Sequence, residues 1–145
     1  MLKFVSMMLA VASLLAAGEG EREGKGCSVA TLNGTYGSLI TGTKPSGPPP
    51  ALLEQTIGVV IQHFDGLGHL TRTDNILSSI SGPGVNLPGT GTYSINEDCS
   101  GTMNLSIQGA PPLVVKFVVV DKGREFRAIV QSPPTVMVTA VGKKI

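Results

Sequence analysis

Gly91-Thr92-Tyr93-Ser94-Ile95-Asn96-Glu97-Asp98-Cys99-Ser100-Gly101-Thr102 reads as the end of one strand, a tight acidic turn and the start of a returning strand. Thr, Tyr and Ile suit extended backbone, whereas Asn, Asp and Gly turn the chain through side-chain bonds or positive φ. Two echoes lie upstream. Gly34-Thr35-Tyr36-Gly37 follows Cys27, the only other cysteine, and Phe64-Asp65-Gly66-Leu67-Gly68 marks a second hairpin. These motifs describe architecture; none of them is a reacting centre.

Working outward, the apolar pattern from Gly34 onward has period two, and eight strands are expected. They cover residues 35–41, 54–65, 69–78, 91–96, 102–107, 113–120, 125–131 and 136–142. Proline and glycine place extended, exposed loops at 43–50 and 81–89. Residues 113–120 are apolar almost throughout, so that strand is expected to be buried on both faces or central in the sheet. Residues 69–78 are polar on both faces, with Thr71, Thr73 and Asn75 on one and Arg72 and Asp74 on the other. Consecutive strands joined mostly by short turns predict an all-β fold, a small antiparallel eight-stranded up-and-down barrel, with a two-sheet β-sandwich as the alternative.

Composition agrees with that reading. The charged fraction is 14%, Gly 19 and Pro 10 are high, and the net charge is +1. An ordinary soluble domain carries about 25% charged residues. So neutral a chain offers no electrostatic argument for a nucleic-acid partner or an anionic membrane surface.

The first eighteen residues are expected to be a signal peptide. Lys3 supplies the positive start, 4–15 is an apolar run, and Ala16-Ala17-Gly18 supplies small residues for cleavage. The run is shorter than the roughly twenty residues of a spanning helix, so no integral membrane span is expected after its removal. Residues 19–26 are charged and glycine-rich, a flexible leader, and 27–145 form a single β-barrel domain. Two cysteines in an exported chain, Cys27 and Cys99, read as one disulfide rather than as a redox or metal pair, for which the spacing is wrong.

In order, Cys27, Leu32-Asn33-Gly34-Thr35-Tyr36-Gly37, Gly58-Val59, Phe64-Asp65-Gly66-x-Gly68 and Gly91-Thr92-Tyr93-x-x-Asn96-x-Asp98-Cys99-x-Gly101-Thr102 resemble a family of exported bacterial proteins. That family is without an assigned reaction and is similar to the small, calycin-like barrel domain of allene oxide cyclases. The resemblance spans nearly the whole mature chain. It implies the barrel and a periplasmic or extracellular, bacterial setting, but no activity. His69 departs from the family's pattern, as do Pro111-Pro112 and Pro133-Pro134, which are expected to interrupt the late strands.

Chemistry is sparse. His63, Asp65 and His69 are a weak metal-ligand candidate, since Asp65 is already needed by its turn. No metal and no cofactor is assigned, and no catalytic residue is legible. Glu54 with Asp74, or Glu97 with Asp98, are carboxylates whose separation the sequence leaves open. The polar strand 69–78 favours a wet cavity over a dry core, because an unpaired buried polar group costs roughly 1–3 kcal/mol. Tyr36, Arg72, Asp74 and Tyr93 are accordingly the candidate lining of a site for a small, partly apolar ligand. An isomerase or cyclase on the barrel, and a structural or surface interaction module, are the alternatives. The oligomeric state is left open.

Overall fold

Alternating side chains are used to the full when a sheet closes on itself, and here it does. The computed structural model describes residues 26–145. Its strands are β1 (Asn33–Pro45), β2 (Leu53–Asp65), β3 (His69–Ser78), β4 (Gly82–Ile95), β5 (Ser100–Ile107), β6 (Leu113–Val120), β7 (Glu125–Ser132) and β8 (Met137–Lys144). Each pairs antiparallel with the next, and β8 returns to β1, giving one closed up-and-down barrel in place of the sandwich alternative. The closing ladder runs from Tyr36 opposite Lys144 to Thr43 opposite Met137. Every strand is thereby paired on both sides. The signal expected over 1–18 and nearly all of the leader lie outside the described residues.

Up-and-down order sorts the connections between two ends. The β2–β3, β4–β5 and β6–β7 turns share one end with the chain segment that precedes β1. Asp65 Oδ1 accepts the amides of Leu67 (2.7 Å) and His69 (3.0 Å), with Gly66 and Gly68 at φ of 74° and 106°. Asp98 Oδ1 accepts the Ser100 amide at 2.9 Å in the same way. Between them, Cys99 stands at φ 69° with its sulfur at bonding distance from that of Cys27, the Cα atoms 4.9 Å apart. The Cys27 amide also bonds the Glu97 carbonyl, so the segment up to the fully buried Leu32 is drawn across this end as a plug.

The core packs beneath that plug. Tyr36, Phe64 and Phe126 are wholly buried, and Phe64 meets Tyr36 and Tyr93 edge to face at 5.2 and 5.1 Å. Full burial of such a ring stabilises by about 1.5–3 kcal/mol. Two glycines make room for rings: a Cβ on Gly142 would meet Phe126, and one on Gly101 would meet Phe117.

Two expectations change and one is narrowed. The Gly- and Pro-rich stretch after Ser81 is not a loop, because β4 already starts at Gly82 and carries Pro83 and Pro88. A proline is tolerated where the ladder is broken, and the β3–β4 register slips between Asp74 and Ile76. There Asn75 and Asn86 replace ladder bonds with their own: the Asn86 amide donates to Asn75 Oδ1 at 3.0 Å. β6 takes the second of its two expected placements: it is paired on both sides, by β5 and β7, with Val115, Phe117 and Val119 pointing inward and Val118 on the outer face 45% exposed. Pro111-Pro112 and Pro133-Pro134 do not interrupt strands; they fall in the β5–β6 and β7–β8 loops. The outer face is unusually apolar, with Leu39, Ile57, Val59, Ile61 and Leu77 exposed across β1–β3.

Candidate functional site

The inward parity of each strand decides what the barrel contains. On β2 the burial of Val60 and Phe64 fixes the even positions as inward, so Glu54, Thr56 and Gln62 point inside too. On β3 the same logic turns Leu70, Arg72, Asp74 and Ser78 inward, leaving Thr71 and Thr73 outside. β1 contributes Ser38 and Ile40. Polar groups thus line the wall made by β1–β3. β5 to β8 supply Leu105, Val115, Ala128 and Ala140, an apolar wall.

Between these walls lies a cavity of about 710 Å³, reaching down from the β1–β2, β5–β6 and β7–β8 loops. That falls within the roughly 300–1,000 Å³ usual for a small-molecule site. Small inward residues on β4 help keep it open. Gly89 stands opposite Arg72, and a Cβ there would come within 2.9 Å of Arg72 Cγ.

The cavity's charges are internally balanced. Arg72 Nε and Nη2 donate to the two oxygens of Asp74, each at 2.7 Å, in a bidentate pair. At the rim Lys44 Nζ donates to Glu54 Oε1 at 2.5 Å. Glu54 also accepts the Ser81 hydroxyl (2.6 Å) and the amides of Ser81 (2.7 Å) and Ile80 (3.0 Å). The Lys44 ammonium first, and then the Ser81 hydroxyl, bring its carboxyl down to about 2. This latch ties the top of β1 and β2 to the β3–β4 turn. Ser78 Oγ bonds Thr56 Oγ1 at 3.0 Å. Ser38 lines the cavity, and its Oγ, buried beside Gly142, has no hydrogen-bond partner among the described residues.

Of the four candidate ligand contacts, two are brought together and two are not. Arg72 and Asp74 line the cavity. Tyr36 and Tyr93 lie beneath it in the plugged end, their hydroxyls engaged by backbone. Tyr36 Oη donates to the Gly123 carbonyl, and Tyr93 Oη to the carbonyls of Leu32 (2.9 Å) and Val29 (3.0 Å). Burial pushes both phenols above their ordinary range. Both tyrosines face inward, but neither is among the residues that line the cavity.

The metal candidates all stand on the outer face but do not gather as a site. His69 Nδ1 lies 3.5 Å from Asp65 Oδ2 outside the barrel, while His63 Nδ1 pairs with Thr35 Oγ1 at 3.3 Å. Among the described residues no three His, Cys, Asp or Glu side chains gather as a metal site. Asp65 lies below the usual carboxylate range because the His69 and Leu67 amides hold its charge. Glu54 and Asp74 are far apart: Asp74 opposes Val60, six residues or roughly 20 Å along β2 from Glu54.

Ser38, Gln62 and the Lys44–Glu54–Ser81 latch are absent from the sequence reading. A usable signal existed in β2, where Glu54, Thr56 and Gln62 share the parity of Phe64 while Ile57, Val59 and Ile61 take the other. Among the described residues no helix is long and apolar enough to cross a membrane. No protein-family model matches the chain. No curated protein matches it either.

Proposed function

We propose that this chain is an exported, disulfide-stapled β-barrel that binds one small, partly apolar molecule in its interior. The observation that carries this is the cavity of about 710 Å³, with an apolar wall facing a wall of Ser38, Gln62, Arg72 and Asp74. A module built only for structure gains by filling its core, since close packing is where dispersion and burial stabilise. Export is supported by the signal-like pattern of 1–18 and by Cys27 and Cys99 at bonding distance. On this reading 1–18 is removed, 19–26 is a leader, and 27–145 works in a bacterial periplasm or outside the cell. The bacterial setting rests on the resemblance to the exported family with allene oxide cyclase-like barrels.

Two placements weigh toward binding over isomerase or cyclase chemistry. Both histidines stand on the outside of the barrel, at 63 and 69. Asp74, the carboxylate that lines the cavity, has both oxygens engaged by Arg72. Titration of the mature protein with the neutral fluorophore N-phenyl-1-naphthylamine tests the reading. Saturable, blue-shifted emission at one probe per chain is expected. Fluorescence that rises without saturating, or not at all, would overturn it.

A further inference from the structure

The binding proposed above leaves the ligand's chemistry open, and the cavity's own charges narrow it. We infer that the interior takes an apolar chain or ring ending in an uncharged oxygen group, a hydroxyl or a carbonyl, and discriminates against the corresponding carboxylate.

Three observations lead there. First, the cavity offers no surplus positive charge. Arg72 is matched by Asp74 through both carboxylate oxygens, and Lys44 at the rim is matched by Glu54. A carboxylate entering would meet Asp74 as well as Arg72, and leaving water without a countercharge is costly. Second, uncommitted neutral hydrogen-bonding capacity is present. Ser38 Oγ is buried without a partner among the described residues, on a residue 7% exposed that lines the cavity. A guanidinium has five N–H donors, of which Asp74 takes two, so Arg72 retains donors for an oxygen that carries no charge. Third, these groups sit low on the barrel wall. Ser38 opposes Gly142 across the β1–β8 seam, and Phe126, which opposes that same glycine from β7, lines the cavity floor. The head group therefore goes in first. The apolar remainder lies against Leu105, Val115, Ala128 and Ala140 and points to the proline-bearing mouth.

Ser38, its hydroxyl turned from beside Gly142 into the cavity, acts here as a donor to the ligand oxygen. An alcohol satisfies it by accepting, and a ketone does the same.

The test is competition for bound N-phenyl-1-naphthylamine by decanol, 2-decanone and decanoate at pH 8, where the acid is ionised. Decanol and 2-decanone are expected to displace the probe at least about tenfold more tightly than decanoate. Ser38→Ala, which removes an unpartnered hydroxyl and should keep the fold, is expected to weaken both neutral competitors roughly threefold to tenfold. The variant's own affinity for the probe is measured alongside, and each competitor's constant is corrected for it. Asp74→Asn should shift preference toward decanoate by freeing the Arg72 charge. Decanoate binding as tightly as decanol while the probe still saturates would overturn the neutral-head assignment and leave cavity binding intact. Neutral competitors unaffected by Ser38→Ala would also overturn it. Failure of the probe itself to bind would remove both readings together.

Discussion

Arg72 holds Asp74 through two N–H···O bonds of 2.7 Å, although the two are next-but-one neighbours on the same inward face of β3. Side chains at that spacing point the same way, so the pair is formed within one strand and borrows nothing from the facing wall. Gly89 opposite Arg72 leaves room for the arginine stem, since a Cβ there would come within 2.9 Å of its Cγ. A charged pair is thus placed inside a barrel while the space beside it stays clear.

Breaking that pair from one side should be far worse than removing it. Asp74→Leu leaves Arg72 buried and unmatched, with an expected loss of about 3–5 kcal/mol, whereas Arg72→Met with Asp74→Leu should recover most of it. Urea denaturation of the two singles and the double measures this directly. A single variant within about 1 kcal/mol of the parent would show that the pair is effectively solvated.

Glu54 sets an acid limit on the barrel's mouth. Its folded-state carboxyl is lowered to about 2 by Lys44 and the Ser81 hydroxyl, with the Ser81 and Ile80 amides adding to the effect. A depressed carboxyl contributes stability that is present above its unfolded value and lost as pH falls through the folded one. Stability should therefore decline from about pH 4.5 toward pH 2. Glu54→Gln should be less stable at neutral pH and show a shallower acid slope. Some slope will remain, since Asp65 and Asp98 are lowered by their turn amides and by Ser100. Equal slopes in parent and variant would place the acid sensitivity elsewhere.

The disulfide secures the plug rather than the cavity. Its partners are 72 residues apart, and a loop of that length gives about 4 kcal/mol in the chain-entropy model. Cys27→Ser with Cys99→Ser should lower thermal stability and loosen the Val29 and Leu32 carbonyls from Tyr93 Oη. Because the cavity opens at the other end, probe affinity measured well below the melting temperature should stay within about threefold of the parent. Lost binding in a variant that still melts cooperatively would mean that the plug shapes the site.

The sequence showed the strands where turn chemistry brackets them. β3 and β6 have the bounds read from residues 69–78 and 113–120, because Asp65-Gly66-Leu67-Gly68 and Asp121-Lys122-Gly123 fix their ends. The reading 91–96 covers only the end of β4, because Pro83 and Pro88 argue against a paired strand; the register slip opposite Asn75 lies between the two prolines. The apolar run of β6 leaves two placements open, two buried faces or a central position, because apolar residues do not reveal that one side of a barrel meets water. For the site, Arg72 and Asp74 were visible as polar residues sharing an inward parity. Ser38 was not, being a serine among glycines and threonines whose importance depends on Gly142 across a seam 104 residues away in sequence. Tyr36 and Tyr93 are legible as inward residues, but parity does not say how far along the axis a side chain stands, and neither is among the residues that line the cavity.

Depth and parity together give the sharpest test of where a ligand sits. Ala140 on β8 faces inward, opposite Ala128 and Ile40, in the middle of the apolar wall. A phenylalanine there projects into open cavity, so the overpacking cost of a filled core does not arise and the added ring buries apolar surface. Ala140→Phe should melt no lower than the parent yet weaken the probe at least about tenfold, or ~1.4 kcal/mol. Val141, the next residue, is 41% exposed on the outer face. Val141→Phe adds a ring to the same strand one residue on, and it should leave probe binding unchanged. If the outer substitution displaced the probe and the inner one did not, the ligand would belong on the apolar outer face of β1–β3 and β8 rather than inside the barrel.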